Sequence, residues 1–458
     1  MKNNKIFSAI MLFLGILSAT SCSKSFFTDA NTNPNSPAAS SILPSTLLST
    51  VEGALAYTQG GDLSRYTQYF TQQTLGASNQ SLAYYSYVIT SQDVDQLWGN
   101  LYTSVMENAD TLIGLSDAKQ YNIYSGIGRI LKAYALQITV DTWGNVPYTD
   151  AFKGAKEFSA KYDSASTLYS TIIPGLLNDG INYLNNANGG IKSPSSTPGS
   201  DDFIYGGSVT KWIKFAHAIK ARLYLHQSKN NASMATNALT ELSSAFSTNS
   251  DIAQYVFGSA PTANNPVFQF NDQRAYTDYA KGTLAQEMAA LNDPRYPMFF
   301  DSTYSDYDGV GIGTYYGNPT SPVEFISYDE LLFAKAEAIL WSGGSVNNAQ
   351  IAYDSAIYNN MMKLGVSSAS AIAYIIANGT LPSSTSAAIA QIALQANIAL
   401  YLNPEAWTTW RRTGSPVLKP VSGTQIPRRL LYPLSEINYN TNTPKGSTLY
   451  SPKLFWDN

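Results

Sequence analysis

Two stretches of this 458-residue chain set flat aromatic rings beside amide and hydroxyl side chains. Gln72 to Gln92 holds Asn79, Gln80, Tyr84, Tyr85 and Tyr87. Tyr276 to Tyr316 holds seven tyrosines in 41 residues (Tyr276, Tyr279, Tyr296, Tyr304, Tyr307, Tyr315 and Tyr316), where the chain's 32 tyrosines would place about three. A phenol ring has an apolar face and a polar tip, and few torsions to order on binding. Neighbouring amides add directional hydrogen bonds. That pairing suits a sugar, whose ring has a C–H face and a hydroxyl rim. The candidate ligand contacts are therefore Asn79, Gln80, Tyr84, Tyr85, Tyr87, Tyr276, Tyr279, Tyr304, Tyr307, Tyr315 and Tyr316. Any single tyrosine among them also has a structural use, wedging a loop against its scaffold; the enrichment is a property of the regions.

Other chemistries find little support in residue type and spacing. His217 and His226 stand nine residues apart on one predicted helix, too far for an i, i+4 metal pair. Asp301, Asp306 and Asp308 precede Gly309, but counting from Asp306 a calcium loop would need an oxygen ligand at Val310 and a glutamate at Gly317. A glycosidase needs two carboxylates flanking the scissile bond. Asp278, Asp301 and Asp306 are available in the aromatic window, yet nothing pairs them. There is no Gly-x-Ser-x-Gly elbow and no phosphate-binding loop. The reading is a binding protein with no catalytic residues, metal or cofactor.

Charged residues make up only 13 % of the chain, about half the usual share. The surface is solvated instead by amides, hydroxyls and phenols, which favours an uncharged, hydroxyl-rich ligand. The first 21 residues carry two lysines, an apolar run over Ile6–Leu17 and the small residues Ser18 to Ser21. They read as a signal peptide whose core is too short to span a bilayer. Cys22 follows directly and is the chain's single cysteine, so no internal disulfide is possible. This arrangement resembles a bacterial lipoprotein leader, which implies acylation of Cys22 and attachment through lipid chains alone. Removing residues 1–21 leaves 26 of 28 basic residues against 32 acidic ones, a net charge of −6. Such a balance argues against nucleic acid as a partner. Residues 22–43, rich in Ser, Asn and Pro, read as a flexible tether.

The elements that must position the candidate residues are helices. Apolar periodicity predicts helices near 44–75, 92–116, 121–141, 163–187, 208–229, 232–247, 326–341, 346–363, 368–378 and 384–402. Strand signals are confined to 264–271 and 309–325. Trp212, Phe215, Ala216 and Ile219 follow the spacing of a tetratricopeptide first helix; Trp98, Leu101, Tyr102 and Val105 follow it less closely. Ala349, Tyr353 and Ala356 follow that of a second helix. The fold class is mainly α, a TPR-like helical-repeat scaffold with an irregular, loop-rich ligand-binding region and little β. One domain is expected over 44–458, with a loop-rich insertion at about 258–325 that is too long for an ordinary connection.

Several strings, in order, resemble the SusD/RagB family of nutrient-binding outer-membrane lipoproteins. They are the Cys22 leader, Asn31-Thr32-Asn33-Pro34-Asn35, Asp141-Thr142-Trp143-Gly144-Asn145-Val146-Pro147-Tyr148, Asp293-Pro294-Arg295, Ala336-Glu337-Ala338, Trp410-Arg411-Arg412-Thr413-Gly414 and Ile426-Pro427-Arg428-Arg429-Leu430-Leu431-Tyr432-Pro433. The resemblance implies a TPR-like domain that binds a glycan, or in some members a peptide, and passes it to a SusC-like TonB-dependent outer-membrane transporter. It also implies an outer-membrane, lipid-anchored location facing the cell exterior. The motif residues themselves read as structural. Gly144 suits a positive φ and Pro147 stops a helix. Arg411, Arg412, Arg428 and Arg429 are expected to pair with acids such as Glu337, Glu405 and Glu436, tying the tail to the last helices. Trp98, Trp143 and Trp212 are assigned to the core.

Overall fold

A computed structural model describes residues 42–154, 159–190, 193–274, 277–279, 282–301 and 311–457. Cys22, the leader and nearly all of the tether lie outside them, as do Tyr276, Tyr304 and Tyr307.

The first predicted helix forms as α1 (Pro44–Thr58) and α2 (Ser64–Phe70), separated by a π-helical turn over Gln59–Leu63 where Gly61 leaves helical geometry. The remaining long helices are α4 (Asn108–Lys119), α5 (Asn122–Trp143), α6 (Ile173–Asn185), α7 (Val209–His226), α8 (Ala232–Leu242), α10 (Tyr328–Trp341), α11 (Val346–Lys363), α12 (Ser368–Asn378) and α13 (Thr385–Ala399). Between and after them come α3 (Asn79–Tyr85), α9 (Thr283–Ala290), α14 (Glu405–Thr413) and α15 (Leu434–Tyr439). Helices α10 to α13 each begin with a serine, Ser327, Ser345, Ser367 and Ser384, whose hydroxyl accepts from the backbone N–H three residues on. Each such cap is worth about 1 kcal/mol.

Helices pack as sequence neighbours: α4 on α5, α5 on α6, α7 on α8, and α10 on α11. The repeat-spaced residues are the ones that fill these interfaces. Trp212, Phe215, Ala216 and Ile219 are fully buried, as are Ala349, Tyr353 and Ala356. Trp98 and Trp143 are buried edge to face, centroids 5.1 Å apart. Burial of each large side chain contributes roughly 1.5–3 kcal/mol. Residues Pro44–Asn458 form one compact unit.

Strand content among the described residues is four short antiparallel ladders: β1 (Leu75–Gly76) with β5 (Asp278–Tyr279), β2 (Val146–Pro147) with β3 (Tyr162–Asp163), β4 (Ala253–Val256) with β8 (Pro322–Ile326), and β6 (Phe300–Asp301) with β7 (Gly311–Ile312). Strand signals over 309–325 correspond to β7 and β8. Those over 264–271 do not: Pro266–Gln273 is a helix, started by Asn265, whose side chain accepts from Val267 and Phe268 N–H. Pro266 at the first helical position is preset for that geometry.

The tail crosses the end of α5. Leu430 N–H donates to Thr142 O at 3.0 Å, Trp143 Nε1 donates to Leu431 O at 2.7 Å, and Tyr432 Oη donates to Asn145 O at 2.8 Å. Gly144 holds φ at 82°, as the turn after α5 requires.

Candidate functional site

The arginines do structural work, with partners that differ in part from expectation. Arg412 makes a two-pronged bond to Glu337 at 2.9 and 2.6 Å. Arg411 donates to the carbonyls of Asp141 and Arg428 and lies 3.6 Å over the Trp407 ring. Arg428 pairs with Asp457, and Arg429 bonds Leu430 O. Glu405 belongs instead to His226, at 2.9 Å from Nε2, and Glu330 to Arg222, at 2.8 Å twice. Burial opposes the Glu405 charge, but His226 and Arg222 outweigh it and hold its carboxyl at about 2. His226 is raised above its usual value: burial works against its charge, and Glu405 and Asp141 overcome it. Two voids of about 20 Å³ each adjoin this network, room for a water apiece. It braces the helices and has no space for a substrate. His217 bonds Glu241 at 2.6 Å. Among the described residues no group of His, Cys, Asp and Glu is placed to hold a metal.

The aromatic windows are a different matter, because the fold joins them. Leu75 pairs with Tyr279 and Gly76 with Asp278, and Ala77 N–H donates to Thr277 O at 2.8 Å. Gln72, buried and at φ 54°, accepts from Thr283 Oγ1 at 2.8 Å and donates to Lys419 O at 2.5 Å. A third segment, 416–423, thereby joins the first two. Gly282 sits so near this backbone that a Cβ would lie 2.2 Å from Gln72 O, so only glycine fits. Gln73 fastens the assembly to the scaffold. Its Nε2 donates to Asn397 O and Leu400 O at 3.0 and 3.2 Å, and its Oε1 accepts from Leu402 N–H at 3.0 Å.

The candidate side chains divide between this surface and its floor. Asn79 and Gln80 open α3 and are exposed, and Tyr85 is half-buried with its ring edge-on to Tyr69 at 6.2 Å. Leu82 and Val88 are exposed beside them. Gln80 Nε2 donates to Tyr84 Oη at 2.7 Å, and that hydroxyl donates to Asp93 at 3.0 Å. Tyr84 itself is only 4 % exposed, its ring tilted against Tyr66 at 4.8 Å; burial, with Asp93 adding to it and Tyr66 opposing, pushes its hydroxyl up to about 12. Tyr87, 6 % exposed, accepts from Val421 N–H at 3.2 Å. Tyr279 stands in β5.

Tyr315 and Tyr316 are half-buried against a cluster that joins the insertion to Leu364, Ile398 and Tyr401 of the scaffold. Tyr315 Oη donates to Glu324 at 3.2 Å, and Tyr316 packs on Phe299 and Tyr401 at 5.2 and 5.0 Å. The void beside Tyr316, lined also by Gln59, Glu324 and Asn403, measures about 40 Å³ and would not admit a sugar ring.

One sizeable concavity escaped the sequence reading. It is a cleft of about 450 Å³ between Ser91 and the tail, lined by Leu431, Tyr432, Ile437 and residues 440–447 except Asn442. Its sequence signal was Asn440-Thr441-Asn442-Thr443, an amide and hydroxyl run without an aromatic.

The sequence profile of the SusD-like family, described as starch-binding and associating with the outer membrane, matches residues 34–433. Solved structures share the fold. A SusD/RagB family protein from Bacteroides thetaiotaomicron is similar over 91 % of this chain and 99 % of its own, at 21 % identity and TM-score 0.73. A chitin-binding SusD homolog from Flavobacterium johnsoniae is similar over 90 % and 97 %, at 20 % identity and TM-score 0.73. A SusD homolog from Bacteroides fragilis is similar over 87 % and 94 %, at 20 % identity and TM-score 0.72. No curated protein sequence matches the chain. Among the described residues no helix is long and apolar enough to cross a membrane.

Proposed function

Because this chain belongs to the SusD-like family, we propose that it captures a nutrient glycan on the surface where its two aromatic windows meet. Asn79, Gln80 and Tyr85 are the groups best placed to contact the sugar, with the 277–279 and 416–423 segments beside them; Tyr84 and Tyr87 support them from below. The observation that carries this reading is the β1–β5 ladder, which joins segments some 200 residues apart. The amide and phenol groups there present hydrogen-bond partners next to apolar area, as carbohydrate recognition requires. The family's starch-binding description and the chitin-binding homolog favour a glycan over other ligands.

The protein acts by binding, without turnover. Acylated Cys22 anchors it to the outer membrane, residues 22–43 form the tether, and residues 44–458 hold the glycan for a SusC-like TonB-dependent transporter. Affinity electrophoresis in gels containing starch, chitin derivatives and other polysaccharides tests the capture role: retardation in at least one gel is expected. Release of shorter products from that polysaccharide over many turnovers would replace binding with catalysis. Co-purification of the lipidated protein with an outer-membrane transporter tests the partnership.

A further inference from the structure

The tail cleft has the dimensions of a ligand site, and none of the residues assigned to the capture surface lines it. Its 450 Å³ falls within the roughly 300–1,000 Å³ typical of small-molecule pockets. The frame is rigid. Tyr432 at the base bonds the carbonyl of Asn145. Asn440 Nδ2 donates to Ala160 O at 3.0 Å and Glu436 at 2.9 Å, while Thr443 Oγ1 donates to the carbonyls of Glu436 and Asn440 at 2.9 Å each. A preformed wall of this kind lowers the ordering cost of binding.

What the lining leaves unused defines the ligand. Among the described residues, the hydroxyls of Ser91 and Ser447 and the ammonium of Lys445 engage no other side chain or backbone group, although they border the cleft. Among the described residues Lys445 is its one charged lining residue, and no carboxylate lines it. Glu436, next to the cleft, is already taken by Tyr162 Oη at 2.7 Å and by Asn440. Leu431, Ile437 and Pro444 supply apolar surface. A bare inorganic anion would satisfy the lysine and leave that apolar area uncovered. A neutral sugar would cover the area but gain no ion pair with the exposed ammonium.

We propose that this cleft is a second saccharide site, selective for a sugar unit bearing a carboxylate, with Lys445 binding the carboxylate, Ser91 and Ser447 the ring hydroxyls, and Ile437 and Pro444 the C–H face. A uronic-acid unit is the class that matches. The site lets an acidic protein distinguish acidic from neutral glycans through residues other than those of the main capture surface.

Titration calorimetry of the mature protein with D-galacturonate, D-galactose and acetate tests the assignment. Galacturonate is expected to bind at least about fivefold more tightly than either control, a margin consistent with one solvent-exposed charged contact plus ring contacts. Lys445→Ala should remove that margin, as should 0.5 M NaCl, which screens an exposed pair. Lys445 is exposed, so the variant's fold is not at risk. Equal binding of galacturonate and galactose, or none of either, would overturn the proposal. So would acetate binding as tightly as galacturonate, or the dipeptide Gly-Asp binding more tightly. Repeating the titration in an Asn79→Ala/Gln80→Ala/Tyr85→Ala protein separates this site from the proposed capture surface: galacturonate binding should persist there whatever becomes of polysaccharide binding.

Discussion

Replacing Gln73 with leucine should loosen the capture surface from its scaffold. Gln73 is fully buried. It spans from the segment before β1 to the end of α13, meeting Asn397 O, Leu400 O and Leu402 N–H at 3.0 to 3.2 Å. Leucine is of similar size, so the loss is chiefly polar. Three hydrogen bonds at about 1 kcal/mol net give about 3 kcal/mol, and a buried donor or acceptor left unmatched adds a further 1–3 kcal/mol where water cannot enter. The expected loss of about 3–6 kcal/mol is a large share of a total of about 5–15 kcal/mol. Urea denaturation followed by far-ultraviolet circular dichroism reads it as a lowered midpoint at unchanged slope. Gln73→Glu refines the test: it keeps an acceptor for Leu402 N–H but sets a carboxylate against two carbonyls. That variant should be weaker at pH 8 than at pH 5, where protonation restores a donor. A loss under 1 kcal/mol for Gln73→Leu, or no pH dependence for Gln73→Glu, would refute the anchoring argument.

Three further outcomes follow from the buried charges. Burial lifts the Glu287 carboxyl to about 7, and among the described residues its Oε2 has no hydrogen-bond partner. The folded state therefore holds that proton more tightly than the unfolded chain, and stability falls as pH rises from about 4.5 through 7. A shift of that size corresponds to about 3 kcal/mol, reduced to about 1–2 kcal/mol by solvent screening at this partly exposed side chain. Glu287→Gln should be stabilising by that amount at pH 8 and neutral at pH 4; equal effects at both pH values would contradict the burial argument. His226, raised by Glu405 and Asp141 against the effect of burial, contributes stability that is complete below pH 6.5 and lost as pH rises through its folded value. His226→Gln should accordingly cost more at pH 5.5 than at pH 9, measured by denaturant midpoint. Arg412→Met should cost about 3–5 kcal/mol by stranding Glu337, while Arg412→Met/Glu337→Leu should recover at least half of it in the same assay.

The scaffold was legible because apolar periodicity is a local property that long helices express directly. Each of the ten predicted helical segments contains one, and the predicted core tryptophans Trp98, Trp143 and Trp212 are buried. The break between α1 and α2 was missed because Gly60 and Gly61 interrupt the helix without interrupting its apolar pattern. Val267-Phe268-Gln269-Phe270 reads equally as a strand in so short a run; Asn265 and Pro266 were the overlooked start signals. The candidate site was legible only as regions. Composition marked Gln72–Gln92, but a tyrosine's type does not say whether it faces solvent, and the positive φ at Tyr87, 62°, belongs to a buried ring. The pairing of Leu75 with Tyr279 depends on how distant segments pack, as does the cleft between Ser91 and Lys445, whose walls are about 350 residues apart in sequence.

Titrating the mature protein with the polysaccharide that retards it most, beside Asn79→Ala/Gln80→Ala/Tyr85→Ala, tests the capture surface most directly. The substitutions change exposed or half-buried side chains, so the thermal midpoint should hold within a few degrees while affinity falls at least tenfold. Undiminished binding by the triple variant, or wild-type protein that binds no glycan at all, would contradict the account.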